Sequence, residues 1–113
     1  MIYLFLADGF EEVEAITTVD YLRRAGLSVV TVGIGGREVR GTHDIRVTAD
    51  KTEDEIRLND EVMGVILPGG MPGTTNLEKS ETVQKAIDFC VENNRLVAAI
   101  CAAPSILGHK NLL

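Results

Sequence analysis

Four segments that are rich in apolar residues predict strands that are covered on both faces. They are Ile2–Ala7, Leu27–Ile34, Val62–Leu67 and Leu96–Ile100. Short, nearly continuous apolar runs, rather than a strict alternation with polar residues, are typical of parallel sheets whose two faces are packed against helices. The chain therefore reads as a parallel α/β protein.

The segment after the first run has the spacing of an amphipathic helix. Asp8 with Glu11 three positions later resembles a capping box, and Gly26 is a typical residue just beyond a helix end. Apolar residues recur three apart, which predicts that they face the core. They are Val13, Ile16, Val19 and Leu22.

The rest of the chain continues the alternation. Glu38–Arg40 and Ile45–Thr48 alternate polar and apolar residues, which predicts a small hairpin, and the charged Lys51–Leu58 suggests one short helix. Pro68–Gly73 reads as a loop. Ser80 is placed to cap a helix running to about Asn94. We expect a doubly wound α/β sandwich, a mostly parallel sheet with helices on both faces.

Length and composition narrow the function classes. The 113 residues suit a single domain over residues 1–113, and the net charge of −6 without a Lys/Arg cluster argues against binding to nucleic acid or an anionic membrane. The sequence contains no apolar stretch of the ~18 residues that a membrane span requires. Two cysteines do not make a disulfide framework, so the reducing cytoplasm is the expected compartment.

Common cofactor and metal motifs are absent. Gly33 and Gly35 match the first two glycines of the dinucleotide-binding motif G-x-G-x-x-G, but its third position, 38, is Glu38. Thr42 stands where a P-loop would need lysine. His43 and His109 are isolated in the sequence, and neither cysteine lies in a C-x-x-C pair, so we predict no metal and no cofactor.

Cys101 is the strongest candidate for chemistry. It lies where a predicted strand meets a predicted helix that contains Pro104 in its first turn, and alanines on both sides allow a sharp turn. This is the arrangement of a nucleophile elbow, which presents one side chain at the carboxyl edge of the sheet. A helix beginning at Ala102 would also direct its N-terminus toward the sulfur. Cys90, on the inner face of a helix, is interpreted as an inert core residue.

Partners for Cys101 must come from other elements. His109 lies eight residues later, about 12 Å along one helix at ~1.5 Å per residue, which is too far for a hydrogen bond. Glu11, Glu12 and Glu14 follow the first strand and share the carboxyl edge with Cys101. One of these carboxyl groups could act on the sulfur, and periodicity alone does not choose among them.

Glycines after the third buried strand offer a further part of a site. Gly69 and Gly70 lie at the same edge of the sheet, and glycine permits close approach of the backbone. The backbone N–H groups of Gly70 and Ala102 could converge there on an oxyanion. The alternative is a plain turn before the next helix.

Taken together these segments resemble the DJ-1/ThiJ/PfpI family, and more closely its DJ-1-like branch. The resemblance covers essentially all of the chain, and the matching stretches follow in order: residues 8–14 (DGFEEVE), 19–26 (VDYLRRAG), 67–70 (LPGG) and 98–104 (AAICAAP). The resemblance implies a flavodoxin-like sheet. It places the reactive nucleophile at Cys101, its acidic partner at Glu14 and the backbone oxyanion donors at Gly70 and Ala102, with Gly69 as the supporting loop.

The resemblance also implies partners. Members are typically homodimers in which the helix carrying Asp20 and Arg24 often lies at the subunit contact. Members continue well beyond the elbow helix, whereas this chain ends at Leu113. We therefore expect a C-terminal segment of the same polypeptide, missing here or present as a separate fragment.

Three functions compete. The leading hypothesis is a cofactor-independent cysteine enzyme of glyoxalase or deglycase type, in which Cys101 attacks a small aldehyde or glycated substrate and Glu14 moves protons. The second is an oxidative-stress sensor or chaperone that uses oxidation of Cys101. The third is a thiol amidase or peptidase, which is weakened because no histidine within the chain is placed to reach Cys101.

Overall fold

The computed structural model describes residues 1–113, and its elements alternate as the sequence predicts. In chain order they are β1 (Ile2–Leu6), α1 (Glu12–Arg24), β2 (Val29–Gly33), β3 (Glu38–Arg40), β4 (Arg46–Thr48), β5 (Lys51–Thr52), a 3-10 turn (Glu53–Glu55), β6 (Gly64–Leu67), α2 (Gly73–Lys79), α3 (Glu81–Glu92), β7 (Leu96–Ala99) and α4 (Pro104–His109).

Five strands form one sheet in the order β5-β2-β1-β6-β7, and all of its pairings are parallel. Its central strand β1 pairs Ile2 with Val29 on one side and with Gly64 on the other. This order places the loops after β1, β6 and β7 side by side at the carboxyl edge, where α/β sheets hold their ligands. The predicted α/β fold is confirmed.

Alternating side chains of β1 serve two separate cores. Tyr3 and Phe5 pack on the face that is covered by α2, α3 and α4, whereas Leu4 and Leu6 pack on the face that is covered by α1 and the β3–β4 hairpin. Strand side chains point to opposite faces in turn, so a wholly apolar strand requires cover on both sides. The helices therefore lie on both faces of the sheet.

The start of α1 differs from the prediction. The capping residue is Glu11 rather than Asp8, and its carboxylate accepts the amides of Val13 and Glu14 at 3.3 and 3.4 Å. Asp8 instead accepts the amide of Arg40 at 3.0 Å and so fastens the hairpin to the loop after β1. A short acidic side chain can cap either a helix or a turn. The capping-box spacing considers only the helix, whereas contact with the folded hairpin determines which of the two Asp8 caps.

The buried face of α1 is also rotated from the predicted one. Val13 and Ile16 are 67% and 40% exposed, so the prediction that they face the core is wrong. The residues buried on this helix are Glu12, Ala15 and Val19. Val13 lies one position later than Glu12, and a step of one residue turns a helix by about 100°. The apolar pair therefore lies on an outer face.

Three further segments refine the sequence interpretation. Ser80 caps α3 as predicted, accepting the amide of Val83 at 3.3 Å. Lys51–Leu58 forms only a two-residue strand and a 3-10 turn. The glycine- and proline-rich loop ends at Gly73, where the seven-residue helix α2, which the sequence analysis missed, begins.

Strand β7 is an edge strand, not the fully buried strand that its apolar sequence suggested. It pairs only with β6, and Leu96 is 52% exposed while the next three residues are half-buried. An apolar run shows that a strand can be covered, but it does not show that the neighbour is present within the chain. No helix in the structure combines the length and apolar character that a bilayer crossing requires.

Candidate active site

Cys101 lies at a sharp turn between β7 and α4 and is exposed to solvent. Its φ is +61°, in the left-handed region that residues with a side chain rarely adopt. Hydrogen bonds on both sides impose this geometry, from Ile100 N to Leu67 O at 3.2 Å and from Ala103 N to Ile100 O at 3.1 Å. The turn matches the predicted elbow, although α4 begins at Pro104 rather than at Ala102.

Glu14 is held beside Cys101 through Gly69. The amide of Gly69 donates to Oε1 of Glu14 at 3.0 Å. A Cβ built on Gly69 would lie 2.6 Å from that oxygen and 2.9 Å from Cβ of Cys101, so one small volume adjoins both side chains. The carboxyl group makes its hydrogen bond to Gly69 rather than to the sulfur of Cys101. The structure thus brings together the two residues that the family resemblance had paired.

The backbone around these residues has free donors. The amides of Gly70 and Ala102 donate to no acceptor in the chain, whereas the amide of Gly69 is used by Glu14. Gly70 has a φ of +98°, and a Cβ there would lie 2.6 Å from the Glu11 amide nitrogen, so only glycine fits. Both N–H groups are available to a bound oxyanion, and their convergence on one atom stays a prediction.

Glu12 is the site-edge residue that the sequence reasoning left undecided. Its side chain is only 7% exposed, and its Oε2 accepts the backbone amides of His43 at 2.8 Å and Ile45 at 3.3 Å. Its Oε1 lies 2.8 Å from Nδ1 of His43. A carboxylate can replace an apolar side chain at a buried helix position when every lone pair has a donor. No periodicity signals this, because the donors lie about 30 residues away in sequence.

Opposing effects act on the ionisation of this pair. Burial by itself would raise the pKa of Glu12, but the hydrogen bonds from the His43 ring and from the amides of Glu12, His43 and Ile45 lower that pKa from 4.5 to about 2. The hydrogen bond and charge of Glu12 raise the pKa of His43 above its ordinary 6.5, against a smaller effect of burial. Glu12 is therefore an anion at neutral pH.

His43 is isolated in the sequence but not in the structure. Its Nδ1 lies 3.6 Å from Oε1 of Glu11 as well as 2.8 Å from Glu12, and one ligand atom from each of the three residues lies within 4.8 Å of the others. The isolation that counted against a metal site is thus removed by folding. The hydrogen bonds described above nevertheless account for Glu12 and His43 without an ion.

The remaining candidates lie away from the site. Cys90 is buried in the core, where burial raises the pKa of its thiol against a smaller opposing effect of Arg95. His109 is exposed at the end of α4 and contacts Glu78 at 2.5 Å. Asp20 and Arg24 form an exposed ion pair at 3.0 Å, one turn apart on α1.

An open cavity of about 550 Å³ adjoins the site between the hairpin and the loop after β1. Asp8, Arg40, Thr42 and Pro72 are among the residues that line it, whereas Cys101 and Glu14 do not. Gly9, which also lines the cavity, lies beside the glycine loop, since a Cβ built on Gly70 would be 2.7 Å from Gly9 O.

Sequence comparisons find relatives that extend beyond this chain. It is 36% identical over 105 residues to Protein dj-1beta of Drosophila melanogaster, covering 92% of this chain and 56% of that protein. It is 32% identical over 97 residues to a glutathione-independent glyoxalase of Caenorhabditis elegans, covering 86% of this chain and 51% of that protein. The chain therefore spans about half the length of the curated relatives it matches.

Solved structures confirm the architecture. A DJ-1 superfamily protein from Salmonella typhimurium matches with a TM-score of 0.92 and 37% identity, covering 99% of this chain and 61% of that one. Oxidised DJ-1 from Toxoplasma gondii matches with a TM-score of 0.88 and 32% identity, covering 99% and 61%. The model of the DJ-1/PfpI family matches residues 1–113, and the chain belongs to that family.

Proposed function

We propose that this protein is a cofactor-independent cysteine enzyme that acts on small 2-oxoaldehydes such as methylglyoxal, free or as glycated adducts. The observation that carries the proposal is the exposed Cys101 in a left-handed turn, with Glu14 held beside it by Gly69. The relationship to a protein named as a glutathione-independent glyoxalase supports the choice of substrate class.

The first step is addition of the thiol to the aldehyde. The sulfur of Cys101 bonds to the aldehyde carbon, and the thiol proton passes to the aldehyde oxygen, which gives a hemithioacetal. The charge that develops on this oxygen during attack would be stabilised by donors that the protein holds in place. The unused amides of Gly70 and Ala102 are suited to that task.

The second step is an internal redox change that needs no external oxidant. Glu14 removes the hydrogen of the former aldehyde carbon as a proton and returns a proton to the neighbouring carbonyl carbon. The hydroxyl proton of the hemithioacetal passes to the oxygen of the neighbouring carbonyl, so the first carbon is oxidised to a thioester and the second is reduced to an alcohol. Water then cleaves the thioester and releases lactate with the free thiol, so methylglyoxal and water give lactate.

The test is lactate production from methylglyoxal by variant proteins. Cys101→Ser should lower the rate at least 10³-fold and Glu14→Gln about 10²–10⁴-fold, the range for loss of a positioned acid–base group. Cys90→Ala is the matched cysteine control and should retain the rate within threefold. Turnover that survives Cys101→Ser would defeat the proposal.

Oxidation sensing is the second candidate, because Cys101 is exposed and an oxidised relative has been solved. Two equivalents of peroxide would oxidise the thiolate to a sulfinate and leave as water. Mild peroxide should then add 32 Da at Cys101 and leave the buried Cys90 unmodified. This candidate replaces the first if oxidation is selective while lactate formation is absent.

A thiol amidase is less supported, since His109 is held by Glu78.

Partners form the last part of the proposal. We propose that the protein is a cytoplasmic homodimer that uses the exposed side of α1 around Asp20 and Arg24. We also expect a C-terminal segment of the same polypeptide to cover the exposed edge of β7. Its span of about half of the relatives' length supports such a segment. The proposed C-terminal segment would be refuted if intact-mass analysis finds only a 12.2 kDa species and that species unfolds cooperatively as a monomer.

A further inference from the structure

Glu12 is a buried anion that fastens two parts of the molecule. From α1 it reaches the β3–β4 turn, where it accepts two backbone amides and contacts the His43 ring. The turn is shaped around it, because a Cβ at Gly41 would collide with the Glu12 carboxylate. The hairpin is not part of the main sheet, so its place depends on contacts of this kind.

The same helical turn also holds the cysteine site. Glu11 donates its amide to Gly69 O at 2.9 Å, and Glu14 accepts the Gly69 amide at 3.0 Å. Glu12 lies between these two residues in the chain. The first turn of α1 is therefore fixed on one side by the hairpin and on the other side by the glycine loop beside Cys101.

We infer that Glu12 is a positioning residue, whose grip on the β3–β4 turn keeps the first turn of α1 in the setting that Glu14 and the Gly69–Gly70 loop need around Cys101. Glu12 does not touch the reacting atoms, and it acts through its neighbours Glu11 and Glu14. The same turn carries Gly41 and Thr42 in the wall of the adjoining cavity. The inference deepens the proposed function and rests on it only in taking Cys101 as the reactive group.

The test compares Glu12→Gln with Glu38→Gln. Glu38 is exposed in the same hairpin and its carboxylate pairs with Arg46 at 3.6 Å, so it controls for loss of a hairpin charge. Amide hydrogen exchange is followed at His43 and Ile45, and alkylation of Cys101 by iodoacetamide is followed by mass spectrometry. We expect Glu12→Gln to speed exchange at both amides at least tenfold and to slow alkylation of Cys101 at least threefold, while Glu38→Gln changes neither.

Reactivity at Cys101 separates positioning from mere support of the hairpin. If exchange at His43 and Ile45 rises but the alkylation rate stays within twofold of wild type, or if exchange does not rise, the inference is wrong. His43→Gln keeps the buried carboxylate and serves as the second variant if Glu12→Gln does not fold. Amide exchange and alkylation of Cys101 are then expected to change in the same directions by smaller factors. The proposed function and this inference can fail separately. If the wild-type protein makes no lactate, but alkylation of Cys101 is slower in Glu12→Gln as expected, the proposed function is refuted and this inference stands.

Discussion

Gly69 donates its amide to Oε1 of Glu14 at 3.0 Å and leaves no room for a side chain of its own. A Cβ at this position would meet the Glu14 oxygen, the carbonyl of Ile100 and the Cβ of Cys101, all within 2.9 Å. Glycine is therefore needed here for close packing, because its absent side chain is what lets the carboxylate approach the cysteine turn.

Replacing this glycine should disturb both stability and chemistry. Gly69→Ala forces a methyl group against backbone and carboxylate, which we expect to destabilise the fold by about 1–3 kcal/mol and to lower lactate production at least tenfold. Gly108→Ala in α4 is the control, since nothing lies within 4 Å of its Cβ and alanine favours a helix by about 0.5–1 kcal/mol. Urea unfolding and lactate assays check both variants; equal behaviour would contradict the packing argument.

The left-handed backbone at Cys101 predicts an unusual order of stability. Removing the thiol as Cys101→Gly relieves the positive φ, whereas Cys101→Ala retains it. The glycine variant should be the more stable of the two by about 1 kcal/mol, although glycine normally destabilises a chain relative to alanine. Chemical denaturation of both variants gives the comparison directly, and a more stable alanine variant would show that the turn is unstrained.

The Glu12–His43 pair predicts a window of pH for its contribution to stability. The pKa of Glu12 is lowered from 4.5, so its contribution is present above about pH 4.5 and is lost as the pH falls toward 2. The pKa of His43 is raised from 6.5, so its contribution is complete below pH 6.5 and is lost as the pH rises through the raised value. Both contributions are therefore present together between about pH 4.5 and 6.5.

A matched variant isolates the charge of the imidazole. His43→Gln retains a donor that can reach Glu12 but has no proton to gain, so it imitates neutral histidine. We expect wild type to exceed His43→Gln in free energy of unfolding near pH 6, and the difference to vanish above the raised pKa of His43. Urea melts across this range measure it, and a difference independent of pH would assign the effect to packing.

The exposed side of α1 predicts where subunits meet. Val13 and Ile16 are 67% and 40% exposed on the helix that carries Asp20 and Arg24, and Val13, Asp20 and Arg24 recur at helical spacing along one stripe. Val13→Asp should raise the dimer dissociation constant at least tenfold because it would bury an unpaired charge. Val91→Asp, on α3 and 42% exposed, is the control. Sedimentation equilibrium distinguishes them, and a monomeric wild type would refute the proposed dimer.

The sequence predicts those features whose causes are local. Ser80 caps α3 because its partner, the Val83 amide, is three residues away, and the apolar run Ile2–Ala7 becomes a central strand because only a sheet covered on both faces can bury it. The same logic locates Cys101 at the end of a strand. Local pattern is sufficient in these cases.

Features that depend on distant partners are the ones that the pattern missed. Glu12 is buried because the 43–45 turn supplies the donors for its carboxylate. No local rule predicts that Glu12 is buried while its apolar neighbour Val13 is exposed. Asp8 caps the hairpin because Arg40 is folded against it. The choice of Glu14 among three glutamates came from family resemblance, and its physical basis is the amide of Gly69, 55 residues away.

The φ of +61° at position 101 limits which side chains suit the reactive position that we propose there. A branched β-carbon crowds the backbone in the left-handed region, which makes threonine or valine far costlier there than an unbranched side chain. Cysteine and serine meet this condition, each presenting its reactive atom on a single methylene. Backbone geometry thus restricts which residues position 101 accepts before catalysis is considered, and it disfavours replacement of the thiol by a secondary alcohol.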